Sequence, residues 1–159
     1  MTKITKTNAA RLLDKAKIEY ELITYEVDEN DLGASHIAQQ LGESLDQVFK
    51  TLVLHGDRKG HFVCVVPGGD EVDLKKAARA SGNKKCDLIA VKELLPLTGY
   101  IRGGCSPIGM KKKLSDIFSP ILPKISTHLC QRRTARHTTQ NLAHRFSRIH
   151  PWATLRLSR

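Results

Sequence analysis

Two apolar segments joined by a short polar turn constrain the fold of this chain most strongly. DQVFKTLVLHG at 46–56 and HFVCVVP at 61–67 flank the turn HGDRKG. Apolar runs of this length, bounded by turn residues, are typical of strands covered on both faces, so the sequence predicts a hairpin. Lys50 interrupts the first run. Because strand side chains alternate, Lys50 shares a face with Leu52 and Leu54, and its charge is directed toward apolar groups.

The remaining segments alternate between short helical and strand patterns. Helices are predicted at about 7–17, 35–41 and 73–80, a helical turn at 91–95, and strands at 20–27, 87–89 and, in TGYIRGG, 98–104. These elements lack the regular strand–helix–strand rhythm of a doubly wound fold. The sequence therefore predicts a single α+β domain with a mixed, mostly antiparallel sheet flanked by short helices.

The charge of the chain suggests a polyanionic partner. The formal net charge is +10, and residues 126–159 carry 7 Arg and no acid, whereas residues 1–125 hold 19 Lys and Arg against 16 Asp and Glu. No stretch approaches the roughly 18 apolar residues that a membrane span requires. The first residues lack the apolar core of a secretory signal. We therefore expect a cytoplasmic protein that does not bind a membrane.

The cysteines and histidines give little support for a metal site or a cysteine nucleophile. The four cysteines form no CxxC pair, which indicates reduced thiols: Cys64, Cys86, Cys105 and Cys130. Cys105 has no identifiable partner histidine, so a small buried thiol is the favoured interpretation. The four possible metal ligands in residues 126–159 have spacings unlike those of zinc sites: His128, Cys130, His137 and His144. We expect no metal and no other cofactor.

The segment TGYIRGGCSPIGMKKKL at 98–114 has the composition of a binding loop. Paired glycines allow another molecule to approach the backbone, and their N–H groups can bind an anion or a carbonyl oxygen. The G-x-x-x-x-G spacing resembles a phosphate loop, but Met110 replaces its lysine and Lys111 its Ser or Thr, which argues against a nucleotide triphosphatase. Simpler interpretations remain open: a surface turn, a Lys50 that reaches solvent, and a Tyr25 that is an ordinary strand aromatic.

Four segments together resemble the Cys-tRNA(Pro) deacylase family of the YbaK/EbsC type. They are QVFKTL at 47–52, the strand that carries Tyr25, VVPGGDEVDLKKAARA at 65–80 and TGYIRGGCSPIGMKK at 98–112. That family is similar to the editing domain inserted in bacterial prolyl-tRNA synthetases. The resemblance covers residues 7 to about 125, and it implies an editing domain at 1–125 that removes cysteine mistakenly attached to tRNA(Pro).

The resemblance also implies the roles of particular residues. The family's strand lysine falls on Lys50, which would be catalytic, and its substrate contacts fall on Tyr25, Thr51, Gly103, Gly104, Ser106 and Pro107. Lys50 would then point into a cleft and hold the phosphate or ester end of an aminoacylated adenosine. The substrate's own thiol is expected to attack its ester, while Lys50 and the N–H groups of Gly103 and Gly104 stabilise the oxyanion.

Residues 126–159 depart from the family pattern, which continues with a core strand, a glycine-rich turn and an acidic cleft residue. Here no glycine follows Gly109 and no Asp or Glu follows Asp116. One interpretation is a basic tail that binds RNA in place of core structure. The interpretation we favour is a shifted reading frame that replaces the native end.

The sequence thus predicts an enzyme that acts in trans on Cys-tRNA(Pro), with aminoacylated tRNA and prolyl-tRNA synthetase as its expected partners. One alternative is a deacylase for Ala-tRNA(Pro) or another mischarged tRNA. The other is a non-catalytic tRNA-binding module that joins a synthetase complex.

Overall fold

The computed structural model describes residues 8–18, 20–25, 33–118, 128–132 and 141–146. The elements formed by these residues are, in chain order, α1 (Asn8–Lys15), β1 (Tyr20–Tyr25), α2 (Ala34–Leu41), β2 (Val48–Gly56), β3 (Gly60–Pro67), α3 (Leu74–Ala80), β4 (Cys86–Leu88), α4 (Val91–Thr98), β5 (Ser115–Phe118), β6 (His128–Arg132) and β7 (Asn141–Phe146). One 3₁₀ turn, Leu45–Gln47, leads into β2.

All seven strands join one mixed sheet. Its order is β1-β7-β6-β2-β3-β5, with β4 as an additional partner of β2. The pairs β2–β6 and β3–β5 are parallel, and the other four pairs are antiparallel. The predicted α+β architecture with a mixed, mostly antiparallel sheet is therefore confirmed. Two of the strands, β6 and β7, come from the segment 126–159 and lie between β1 and β2.

The β2–β3 hairpin forms the centre of the sheet, as predicted. Its strands are in register from Phe49 opposite Pro67 to Gly56 opposite Gly60. Side chains alternate between two core clusters: Val53 packs with Leu97 of α4, whereas Leu54 packs with Ala77 of α3. Helices thus cover both faces of the hairpin, which explains why its strands are nearly continuously apolar.

The helix ends follow the local sequence signals. Asp73 caps α3, because its Oδ1 accepts a hydrogen bond from the Lys76 N–H at 3.0 Å. Gly42 ends α2 at φ +64°, a conformation that glycine adopts at no steric cost. Among the described residues, no helix has the length and apolar character needed to cross a bilayer.

The segment TGYIRGG was wrongly predicted to be a strand. Thr98 is instead the last residue of α4, and Gly99 caps this helix at φ +80°. Tyr100 then turns into the core, where only 2% of its surface is exposed. The pattern misleads because the buried tyrosine anchors a loop rather than alternating along a strand. The strand in this region is β5, which the sequence pattern did not predict.

Candidate functional site

Within the described part of the chain, one edge of β2 lacks a neighbouring strand at its middle. On this edge β6 pairs only with Val48 and Phe49, and β4 pairs only with Leu54, His55 and Gly56. Among the described residues, no strand pairs on this edge with the stretch 50–53, whose other edge pairs with β3. The gap exposes backbone polar groups that a complete sheet would use internally.

The backbone of Thr51 faces this gap. Successive residues of a strand direct their N–H and C=O groups to opposite edges. The Val48 C=O accepts from the Gly68 N–H at 2.6 Å on the β3 side, and the Val53 C=O accepts from the Ile89 N–H at 3.2 Å on the β4 side. Thr51, two residues before Val53, therefore points its N–H and C=O groups into the gap.

A cavity of about 730 Å³ occupies the gap. Its floor is the open edge of β2, residues 50–53. The walls come from the start of α2 with Gly68, from the β4–α4 connection with Leu94, and from the glycine loop: Gly33, Ala34, Ser35, Gly68, Leu88, Ile89, Ala90, Val91, Leu94, Arg102, Gly103 and Cys105. Four separate segments thus converge on one strand edge.

The hydroxyl of Thr51 is an unsatisfied polar group in this floor. Thr51 is only 8% exposed, and its Oγ1 has no hydrogen-bond partner. A buried polar group without a partner costs about 1–3 kcal/mol, so such groups are uncommon in folded proteins. The hydroxyl is itself closed off from solvent, so in this structure Thr51 presents two hydrogen-bonding groups to the gap, its N–H and its C=O.

The cavity is electropositive. Lys50 and Arg102 line it, and none of its lining residues is acidic. The first residues of α2 and α4 also border it. Gly33, the N-cap of α2, provides no side-chain cap, whereas the Glu93 carboxylate already accepts from the Ala90 N–H at the start of α4 at 3.0 Å. Because helix N-termini carry partial positive charge and N–H donors, they favour an anion. The arrangement suits a phosphate, a carboxylate or a developing oxyanion.

Hydrogen bonds hold the glycine loop in a fixed shape. The Thr98 Oγ1 accepts from the Tyr100 N–H at 3.0 Å and donates to the Leu94 C=O at 2.7 Å. The Tyr100 hydroxyl donates to the Ile108 C=O, and the Ser106 Oγ accepts from the Ile108 N–H at 3.2 Å. The loop is therefore a preformed wall of the cavity.

The Gly104 N–H is used inside this loop. It donates to the Ile101 C=O at 3.1 Å. Of the two glycine N–H groups expected to stabilise an oxyanion, only that of Gly103 therefore remains a candidate. Gly103 lines the cavity and has φ +79°, a conformation that favours glycine.

The structure brings together some of the predicted site residues. Lys50, Thr51 and Gly103 line one cavity, whereas the other predicted residues are absent from its lining: Tyr25, Gly104, Ser106 and Pro107. Tyr25 packs with Ile37 of α2, the helix whose first residues border the cavity. Ser106 is 1% exposed and shapes the loop.

Arg102 and Gly68 are cavity residues that sequence reasoning did not single out. A signal existed for Arg102, which directly precedes the glycine pair in a loop already considered a binding loop. Gly68 is needed for close packing, since a Cβ there would lie 2.6 Å from the Ala34 Cβ.

The described cysteines are thiols, as predicted. None of Cys64, Cys86 and Cys105 forms a disulfide. Burial raises the pKa of Cys64 to about 11, and burial also raises the pKa of Cys86. Thiols held in the protonated form are poor nucleophiles. Neither Cys64 nor Cys86 lines the cavity, whereas Cys105 does.

Comparison with known proteins adds independent information about this site. The family model "Aminoacyl-tRNA editing domain" matches residues 29–143. A relative from Enterococcus faecalis, named "Putative Cys-tRNA(Pro)/Cys-tRNA(Cys) deacylase EbsC", is 49% identical over 108 residues, which are 68% of this chain and 66% of the relative. The match thus spans just under two thirds of that relative's length.

Two solved structures share the fold. One, described as "a putative trans-editing enzyme for prolyl tRNA synthetase", has 24% identity and a TM-score of 0.71, with 97% of this chain and 94% of the other covered. The other, "hypothetical protein APE2540", has 20% identity and a TM-score of 0.75, with 89% of both chains covered. At this level of sequence identity, both similarities show only that the fold is shared.

Proposed function

Because the chain belongs to the aminoacyl-tRNA editing domain family, we propose that it is an enzyme, a deacylase that removes cysteine from Cys-tRNA(Pro) in trans. One observation carries the proposal: Lys50, Thr51 and Gly103 border the same electropositive cavity at the open edge of β2. The name of the Enterococcus faecalis relative supports the choice of substrate.

The cavity offers separate groups for the two ends of an aminoacylated adenosine. Arg102 and the start of α2 can bind the phosphate of the terminal nucleotide, because both favour negative charge. The N–H and C=O of Thr51 can bind the aminoacyl end, where donors and acceptors are both needed. Rotation of the Thr51 side chain toward the substrate would also give its buried hydroxyl a partner, which it lacks in the structure.

The proposed chemistry uses the thiol of the substrate, as the resemblance to the Cys-tRNA(Pro) deacylase family implies. The cysteine sulfur attacks its own ester carbonyl and forms a C–S bond. The ester C–O bond then breaks, the thiol proton passes to the ribose oxygen, and a cyclic thioester leaves, which water opens to cysteine. The protein contributes orientation of the ester and stabilisation of the oxyanion.

The structure changes which groups we assign to the oxyanion. With the Gly104 N–H already bonded to Ile101, we assign the oxyanion to the Gly103 N–H, the Thr51 N–H and the Lys50 ammonium. The Thr51 N–H is a suitable replacement because the open strand edge directs it into the cavity. Preorganised donors of this kind contribute about 3–4 kcal/mol each to transition-state stabilisation.

The test is a deacylation assay with matched tRNA esters. Purified protein is mixed with Cys-tRNA(Pro), Ser-tRNA(Pro) or Ala-tRNA(Pro), and ester loss is followed, with Lys50→Ala as the site variant and Lys75→Ala, an exposed lysine of α3, as the control. We expect rapid loss of the cysteinyl ester only, abolished by Lys50→Ala and unaffected by Lys75→Ala.

Each other outcome of this assay has a definite meaning. Equal loss of the seryl ester would exclude the thiol mechanism, because serine has a similar size and a weaker nucleophile. Turnover of Ala-tRNA(Pro) alone would indicate an alanyl deacylase. Binding without turnover of any ester would indicate a non-catalytic module. A higher rate on adding prolyl-tRNA synthetase would support that partner.

A further inference from the structure

A cluster of four cations lies at the turn end of the β2–β3 hairpin, outside the cavity. Arg58 and Lys59 belong to the hairpin turn, and Lys84 and Lys85 belong to the α3–β4 loop. All four side chains are exposed. We refer to these four residues as the basic loop surface.

Reciprocal hydrogen bonds fix the two loops against each other. The Oδ1 of Asn83 accepts from the N–H groups of Arg58 at 3.0 Å and of Lys59 at 2.8 Å. In the opposite direction, the Oδ1 of Asp57 accepts from the N–H groups of Lys84 at 2.9 Å and of Lys85 at 3.2 Å. The cations are therefore presented on a rigid support, and their side chains take no part in it.

The positive charges of the basic loop surface are only partly balanced by nearby acids. None of its four cations forms an ion pair with a carboxylate in the described part of the chain. Lys59 even extends toward the second loop, since a Cβ at Gly82 would lie 3.7 Å from the Lys59 Cε. Two exposed acids lie nearby, Asp57 in the hairpin turn and Asp87 in β4, so the four cations outnumber the carboxylates by two. Unpaired like charges held close together destabilise the free protein, which favours a polyanionic partner.

Strand β4 connects the basic loop surface to the cavity. Lys85 immediately precedes β4, and Leu88 at its other end lines the cavity. Three residues of strand span about 10 Å. An RNA whose 3′ end occupies the cavity can therefore bring its preceding backbone phosphates to these loops.

We propose that the basic loop surface binds the acceptor stem of the tRNA whose aminoacylated end enters the cavity. This proposal rests on the proposed function. Its contacts are with phosphates, so they add affinity without reading sequence.

The test measures binding of uncharged RNA, so that it does not depend on turnover. Lys84→Gln/Lys85→Gln is compared with Lys112→Gln/Lys113→Gln, which neutralises two exposed lysines that precede β5, a strand separated from β4 by β2 and β3. The probes are an uncharged tRNA(Pro) transcript and a single-stranded RNA with its last few nucleotides. Both pairs of substitutions leave the backbone hydrogen bonds in place.

We expect Lys84→Gln/Lys85→Gln to weaken tRNA(Pro) binding severalfold and to reduce the slope of log K against log salt by about two. Binding of the single-stranded RNA and the melting temperature should not change. An equal loss in the Lys112/Lys113 pair, no loss in either pair, or an equal loss for the single-stranded RNA would overturn the proposal.

Two further readouts distinguish tRNA binding by this surface from membrane binding and from the deacylation reaction. If Lys84→Gln/Lys85→Gln lost binding to anionic lipid vesicles but still bound tRNA(Pro) as the wild type does, the surface would be a membrane contact and the proposal would fail. The wild-type protein could also fail to hydrolyse the ester and still bind tRNA in a way that depends on Lys84 and Lys85. This result would overturn the proposed function but would support RNA binding by this surface.

Discussion

Asn83 fills the space that a side chain at Gly56 would need. A Cβ at Gly56 would lie 2.2 Å from the Asn83 Cγ and 2.2 Å from its Nδ2. Asn83 is only 6% exposed, and its Nδ2 donates to the Ser81 Oγ at 2.7 Å. One glycine in β2 thus allows the α3–β4 loop to dock on the hairpin turn, which sets the position of the basic loop surface.

Gly56→Ala should therefore destabilise the protein. The new methyl group must displace the Asn83 amide, which also accepts from the N–H groups of Arg58 and Lys59. We expect the free energy of unfolding to fall by about 1–3 kcal/mol, because buried polar groups lose their partners. Denaturant unfolding measures this. Gly69→Ala is the control, since its Cβ would have no neighbour closer than 3.8 Å and should change little. Equal stability of the two variants would contradict the packing described for Gly56.

Thr51→Val should lower activity without lowering stability. Valine keeps the shape of threonine and removes a buried hydroxyl that has no partner. We expect the free energy of unfolding to stay the same or rise by about 1 kcal/mol. If the hydroxyl binds substrate, kcat/KM for Cys-tRNA(Pro) should fall about tenfold, the value of one hydrogen bond of about 1.4 kcal/mol.

A second threonine provides the control for this prediction. The Thr98 hydroxyl makes two hydrogen bonds in the glycine loop, so Thr98→Val should lower stability. Unchanged kcat/KM in Thr51→Val would exclude its hydroxyl from the site.

The stability of the protein should fall between about pH 9 and pH 11 because of Cys64. Burial raises the pKa of this thiol from 9.0 to about 11. In this range the unfolded chain loses the proton and the folded chain keeps it, so rising pH favours unfolding. The loss should reach about 2–3 kcal/mol at the upper end. Denaturant unfolding at pH 8 and pH 10.5 measures it. In Cys64→Ala the pH-dependent loss should be smaller, and identical pH profiles would contradict the prediction.

The part of the fold nearest the site was predictable because its signals are local. The apolar runs on either side of HGDRKG predicted β2 and β3. The alternation of side chains along a strand predicted that Lys50 and Thr51 lie on opposite faces. The caps at Asp73 and Gly42 were also predictable, since each depends on one side chain or one glycine near its own helix.

No local sequence pattern predicts the cavity itself. It exists because β6 and β4, which are distant in sequence, pair with different stretches of the same edge of β2. Nothing in QVFKTL indicates that the ladder stops on either side of Thr51. The same limit applies to β5, a four-residue strand that is stabilised by parallel pairing with β3 rather than by its own pattern. The family resemblance predicted Lys50, Thr51 and Gly103 as site residues, whereas only the structure shows that Arg102 also lines the cavity.

Deleting residues 126–159 tests the interpretation of that segment as a shifted reading frame, which stays a prediction. β6 and β7 from this segment lie between β1 and β2, and the family match extends to residue 143. If these strands stabilise the sheet, a chain ending at Ile125 should lose its cooperative thermal unfolding transition. A truncated chain as stable as the full chain would support the interpretation as arbitrary sequence. Resequencing the gene around codon 126 provides the direct check.

Arg102→Gln should weaken substrate binding more than it slows the chemical step. Arg102 lines the cavity opposite the open edge of β2 and exposes its side chain, and it has no described acid beside it in the lining. Its proposed partner is a phosphate, which stays charged throughout the reaction, so the loss should affect ground state and transition state alike. We expect KM for Cys-tRNA(Pro) to rise severalfold with kcat nearly unchanged, and the dependence of KM on salt to become shallower. Arg79→Gln, an exposed arginine at the end of α3 on the other face of the sheet, is the matched control. A fall in kcat at constant KM would instead place the guanidinium at the oxyanion, and equal KM values for the two variants would exclude Arg102 from phosphate binding.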